Sequence, residues 1–185
     1  MCNMEESFPI LEFTARTFLE LGVEYMIVGS MAMKNYVPAR STVDTDILTT
    51  MTRQQLKQFI ERLGADWYID ETTALRGLEN RRMFNAIHYK TSWKLDIIPL
   101  KDNEFHRTEF TRKVEGRIGG VPCTVQSLED LILSKLEWGK RGNSSRQFED
   151  VKSLLRAGLE LDEAYLLKWA KELRVQELLS EARHE

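Results

Sequence analysis

Val28-Gly29-Ser30-Met31-Ala32, then Arg40-Ser41-Thr42-Val43-Asp44-Thr45-Asp46-Ile47-Leu48, are the two segments that decide how this chain folds. The first is an apolar run that stops at a Gly-Ser turn. The second reads as a strand carrying two carboxylates one residue apart. Side chains alternate between the faces of a strand, so Asp44 and Asp46 stand side by side on one face. Adjacent carboxylates repel, and the arrangement is costly unless a cation lies between them. A third acid, Asp96, sits in a further strand-like run, Trp93-Lys94-Leu95-Asp96-Ile97-Ile98-Pro99. Three carboxylates on neighbouring strands suit a pair of Mg2+ or Mn2+ ions that assists in-line displacement at a phosphoryl group.

Composition bounds the reading. At 185 residues and 42% hydrophobic, the chain can bury one core, or one core with a small helical appendage. Basic residues number 26 against 29 acidic, a net charge of -3, which gives no global attraction for nucleic acid. No apolar run reaches the roughly 18 residues of a membrane span. The N-terminal Met-Cys-Asn-Met-Glu-Glu has neither a basic start nor an apolar stretch, and so predicts no secretory signal. Cys2 and Cys123 lie far apart, which predicts a reduced, cytoplasmic protein rather than a disulfide scaffold. His88, His106 and His184 are scattered and form no zinc pattern.

Outward from the acids, the pattern is one α/β unit followed by helices. Residues 9–21 have apolar side chains at helical spacing and stop at Gly22. Tyr25-Met26-Ile27-Val28 is a strand, and a brief helix runs from Met31 to Tyr36 before Pro38. Thr52 caps a helix with Leu56, Phe59, Ile60 and Leu63 on one stripe. The arginine-rich span 70–82 reads as a loop. Strands at 83–89 and 93–99 form a hairpin, and 110–125, with Gly119-Gly120, forms another. From Ser127 onward the spacing is helical. The composition shift near Gln126 divides an α/β core, residues 1–125, from a helical subdomain, residues 126–185. This order predicts a mixed sheet with helices on one side. Gly29-Ser30 belongs to no dinucleotide fingerprint, and no Walker-type Gly-Lys-Ser/Thr occurs.

A strand ending in Gly-Ser, Asp-x-Asp on the next strand and a third Asp on a later one resemble the nucleotidyltransferase superfamily of DNA polymerase β. More narrowly, the chain is similar to small bacterial nucleotidyltransferases grouped with AbiEii-like toxins. That likeness rests on Arg40-Ser-Thr-Val-Asp-Thr-Asp, Phe84-Asn-Ala-Ile-His, Ser127-Leu-Glu-Asp-Leu-Ile-Leu-Ser-Lys-Leu, Ser145-Arg-Gln-Phe-Glu-Asp and Leu161-Asp-Glu-Ala-Tyr-Leu-Leu-Lys-Trp-Ala. The resemblance implies an α/β (α+β) fold, with a mixed sheet flanked by helices and a C-terminal helical bundle packed on it.

It also implies a metal-dependent transfer of a nucleoside monophosphate from a triphosphate to a hydroxyl on a protein, an RNA or a small molecule, in a toxin–antitoxin-type setting. Gly29 and Ser30 would cradle the β- and γ-phosphates. Asp44, Asp46 and Asp96 would be catalytic and ligate two Mg2+ or Mn2+ ions, Asp96 sitting beside the attacking hydroxyl. Lys135, Arg146 with Asp150, and Arg40 would contact nucleotide. The alternative is a silent nucleotide-binding or antitoxin-like module of the same fold. A third reading is a partner-binding tail, for which Leu166, Trp169 and Leu173 would have to be exposed.

Plainer roles stand beside these. Ser30 also suits a helix cap, Lys135 a solvated helix face, and Arg146 with Asp150 a surface i,i+4 pair. Arg76, Arg81 and Arg82 read as a solvated basic run or as a grip on nucleic-acid phosphates. Trp93, Trp138 and Trp169 read as packing, and His88 as a structural strand residue.

Overall fold

The computed structural model describes residues 4–142 and 144–184. Cys2 lies outside them. Seven described strands form one mixed sheet in the order β3-β4-β5-β2-β1-β7-β6. At its centre β1 (Tyr25–Val28) runs antiparallel to β2 (Asp44–Thr49), and β2 runs parallel to β5 (Lys94–Pro99). β4 (Phe84–His88) pairs antiparallel with β5 and carries the edge strand β3 (Trp67–Tyr68). On the other flank β7 (Val121–Val125) pairs parallel with β1 and antiparallel with β6 (Val114–Ile118). Gly119 and Gly120 turn the β6–β7 hairpin with φ of +58° and +85°, the two positive values that a two-residue turn matched to strand twist requires.

Strand alternation sorts the two faces. Tyr25, Ile27, Ile47, Leu95 and Ile97 join one large core with α1 (Met4–Glu20) and α3 (Arg53–Leu63), where Phe18 and Phe59 meet edge to face at 4.9 Å. The capping box predicted at Thr52 is present, with Gln55 as its partner. Met26, Leu48, Val28 and Ile98 point to the opposite face and pack with Phe110 of α5 (Glu104–Thr111). Helices therefore do not keep to one side, as the element order predicted.

Two segments depart from the sequence pattern. The span expected to be a loop holds α4 (Glu71–Glu79), capped by Asp70, whose carboxylate accepts from the Thr73 amide at 2.6 Å. Its fully buried residues are small, Ala74 and Gly77, and Leu75 and Leu78 pack only partly buried beside them, so no strong apolar stripe announces it. A Cβ on Gly77 would come within 2.9 Å of the Phe84 ring. The second predicted hairpin begins only at Val114, because residues 104–111 form α5, started by Asn103, which accepts from the His106 amide at 2.8 Å. Buried Glu109 interrupts the apolar spacing there.

The tail forms α6 (Leu128–Gly142), α7 (Ser145–Arg156), α8 (Glu163–Glu172) and α9 (Gln176–His184). Asp130, fully buried on α6, ties it to the rest. It accepts from Ser127 Oγ at 2.6 Å and Tyr165 Oη at 2.5 Å, and lies 3.3 Å from Arg112 Nε. Leu166 and Trp169 are buried and Leu173 half-buried, which removes the exposed patch that a partner-binding tail would need. Trp93 is also core, whereas Trp138 is exposed. No described helix is long and apolar enough to cross a membrane.

Candidate active site

β2 lies between β1 and β5, and this brings the acids together. Pairing aligns Val28 with Asp46, Asp46 with Asp96, and Asp96 with Asn85, one row across four strands. Asp44 aligns with Lys94. By the two-residue period, Asp44, Asp46, Lys94 and Asp96 all project from the same face. Asp44 is half-buried, and its Oδ1 accepts from the Thr42 hydroxyl.

Asp46 is held in a setting that resists a negative charge. Burial pushes its carboxyl up to about 6, Asp44 and Asp96 push the same way, and Lys94 and Lys135 oppose them. Asp96 is 4% exposed; Lys94 Nζ sits 2.8 Å from its Oδ2, while Oδ1 has no partner among the described residues. Lys94 is in turn pushed upward, first by that hydrogen bond and then by the charges of all three acids.

These residues fit divalent cations by chemistry. The donors are hard oxygens, one buried carboxylate oxygen is unpaired, and the mutual repulsion calls for positive charge. They are not a closed cage as they stand: no three Asp, Glu, His or Cys side chains among the described residues are arranged to hold an ion. The Lys94 ammonium supplies positive charge at Asp96. Lys94 escaped the sequence reading, although its place two residues before Asp96 puts it on the same face.

Gly29 opens the short helix α2 (Gly29–Met33) at φ +64°, and a Cβ there would fall 2.5 Å from Asp46 Oδ2. Ser30 is buried and accepts from Arg40 Nη2 at 2.7 Å. Arg40 Nε stands 3.9 Å from Asp150 Oδ1. Lys135 is not a solvated residue: it is 3% exposed and donates to Asp150 Oδ2 at 2.7 Å and Gln147 Oε1 at 3.1 Å. Burial pushes its ammonium downward against the upward pull of Asp150. The i,i+4 pair of Arg146 with Asp150 does not form, because Asp150 turns to Lys135 and Arg40 while Arg146 stays exposed.

Ser30, Arg40, Lys135 and Asp150 thus make one polar cluster beside the acids, and Arg146 lies apart from it. Arg76, Arg81 and Arg82 are exposed, Arg81 lying 3.7 Å from Asp102. His88 is structural as expected, bonded to Thr91 at 2.9 Å and set against the Trp67 ring.

No protein-family profile matches this chain, and no curated protein sequence is detectably similar to it. Solved structures match it in shape. ANT(2")-Ia in complex with adenylyl-2"-tobramycin gives a TM-score of 0.60 at 16% identity, over 94% of this chain and 99% of that one. An antigenic nucleotidyltransferase-like protein from Paracoccidioides brasiliensis gives 0.59 at 13% identity, over 98% and 93%. The lincosamide antibiotic adenylyltransferase LnuA, lincomycin-bound, gives 0.53 at 18% identity, over 82% and 96%. At such identities the likeness establishes the fold: this chain has the mixed α/β fold of nucleotidyltransferases.

Proposed function

We propose that this chain, built on the nucleotidyltransferase fold, moves a nucleoside monophosphate from a triphosphate to a hydroxyl group of a small molecule. The observation that carries the reading is the row of Asp46 and Asp96 across adjacent strands, with Asp44 on the same face and Gly29 closed against Asp46. Neighbours of the same shape include an adenylyltransferase of a lincosamide antibiotic and a protein caught with an adenylylated tobramycin, which favours a small-molecule acceptor.

In this reading the turn at Gly29-Ser30 receives the β- and γ-phosphates, with Arg40 and Lys135 beside it as counter-charges. Asp44, Asp46 and Asp96 would hold divalent cations, which when bound would supply charge neutralisation at the phosphates and acidify the attacking hydroxyl. The acceptor oxygen forms a bond to the α-phosphorus, the bond to the bridging oxygen breaks, and pyrophosphate leaves with the electron pair. Asp96 takes the hydroxyl proton. Lys94 holds Asp96 in place until charge arrives from the substrate side.

Calorimetric titration of each ribonucleoside triphosphate with Mn2+ tests the binding half of this proposal. Saturable binding to the unaltered chain, lost in Asp44→Asn/Asp46→Asn with the fold intact, is expected. Equal binding to both would overturn the assignment of the acids. Binding with no transfer would favour a silent nucleotide-binding module.

A further inference from the structure

Two residues beyond the acids, on the same face of the same strands, Leu48 and Ile98 form the floor of a cavity of about 280 Å³. Asp46 and Gly29 also line it, as does α6 through Leu131, Ser134 and Trp138. Its size is at the lower limit of small-molecule sites. At the mouth stand Trp138 and Met83, 61% and 55% exposed, two large apolar side chains with no core to fill.

The inner wall is different. Glu109 and Gln126, 3% and 2% exposed, line it together with Ser134. Glu109 Oε1 faces His106 Nδ1 at 2.5 Å. Glu109 Oε2 accepts from Gln126 Nε2 at 2.8 Å and from Ser134 Oγ at 3.3 Å. A carboxylate only accepts, so the Gln126 amide must present its nitrogen to Glu109, and its orientation is fixed. The carbonyl oxygen Oε1 is left without a partner among the described residues. Buried and unpaired, that oxygen weakens the wall.

We infer that this cavity is the seat of the nucleotide acceptor, and that the acceptor is a small molecule with an apolar face and a hydroxyl or amino group that meets the wall of Glu109, Gln126 and Ser134. This deepens the transfer reading above and rests on it. The apolar face lies between Met83 and Trp138; the donor end meets the Glu109–Gln126–Ser134 wall; the reacting hydroxyl is at the Asp46 end. Lys135 lines the cavity on the side where, with Ser30 and Arg40, it provides for the triphosphate, and Leu48 and Ile98 lead away from that side along the strands.

The test follows the Gln126 side-chain amide and the Ile98 methyl signals by NMR in the full chain. Lincomycin and tobramycin serve as acceptor probes and ATP with Mg2+ as the nucleotide probe. Saturable shifts of both signals with lincomycin, whose propyl-pyrrolidine end supplies the apolar face that tobramycin lacks, are expected. Gln126→Met, and separately the surface change Trp138→Ala, should weaken that probe at least tenfold while ATP affinity stays within twofold. The inference is overturned if lincomycin does not move the signals. It is equally overturned if ATP moves the Gln126 amide and Gln126→Met weakens ATP, since the cavity would then hold the base. Failure of ATP to bind the unaltered chain at all would instead remove the transfer reading beneath it.

Discussion

Gly29 and Asp46 are matched to one another: a Cβ on residue 29 would lie 2.5 Å from Asp46 Oδ2, at a backbone φ of +64°. The turn after β1 therefore closes directly onto the central acid of β2, so the turn proposed to receive phosphate and the acid proposed to hold metal are one geometric unit. Only glycine meets both conditions, the left-handed backbone and the missing side chain.

Gly29→Ala separates that unit. The left-handed backbone costs about 1–2 kcal/mol, a fall in thermal midpoint of roughly 2–8 °C for a domain of this size. The larger effect is on turnover, because Asp46 must move; misplacement by about 1 Å costs on the order of 100-fold. Steady-state pyrophosphate release measures it. A variant that is less stable but fully active would show that Asp46 has no fixed position to lose.

Asp46 also sets a pH dependence. Its carboxyl lies at about 6 in the folded chain against an ordinary 3.8, so the folded state binds this proton more tightly than the unfolded state does. Without divalent ions, stability at this residue is therefore lost as pH rises from about 4 to 6, and the loss persists above that. The shift corresponds to at most about 3 kcal/mol. In EDTA at pH 7.5, Asp46→Asn should be more stable than the parent to urea, and the gap should close toward pH 4. A gap independent of pH would contradict the repulsion assigned to this carboxylate.

Lys135 tests whether a buried ion pair serves structure or ligand. Lys135→Met leaves Asp150 buried with Arg40 as its remaining cation, at 3.9 Å, and should cost roughly 3 kcal/mol in urea unfolding. Lys135→Met/Asp150→Leu removes both charges and should recover most of that stability. Nucleotide affinity should not recover. If it does, Lys135 acts only by holding α6 to α7.

The strands and the acids are legible in the sequence because period-two alternation and a Gly-Gly turn are local facts. That alternation by itself sets Asp44 and Asp46 on one face and puts Asp96 in a strand of its own. α4 and α5 are not legible, for local reasons too: Ala74 and Gly77 bury no large side chain, and Glu109 gives a core position to a polar wall. Lys135 reads as a surface residue because its partner is fifteen positions later on another helix. Arg146 stands out for its spacing to Asp150, which tertiary packing overrides. The Glu109–Gln126–Ser134 wall joins α5, the end of β7 and α6, and no short pattern contains it.

The central claim is transfer of a nucleotide under control of three carboxylates, and pyrophosphate release tests it most directly. The four ribonucleoside triphosphates are supplied in turn with Mg2+ or Mn2+ and a hydroxyl-bearing acceptor such as lincomycin or tobramycin, to the parent chain and to Asp44→Asn. The account predicts metal-dependent release by the parent with at least one triphosphate, abolished in Asp44→Asn while the fold stays intact. Release at the same rate by Asp44→Asn would contradict it.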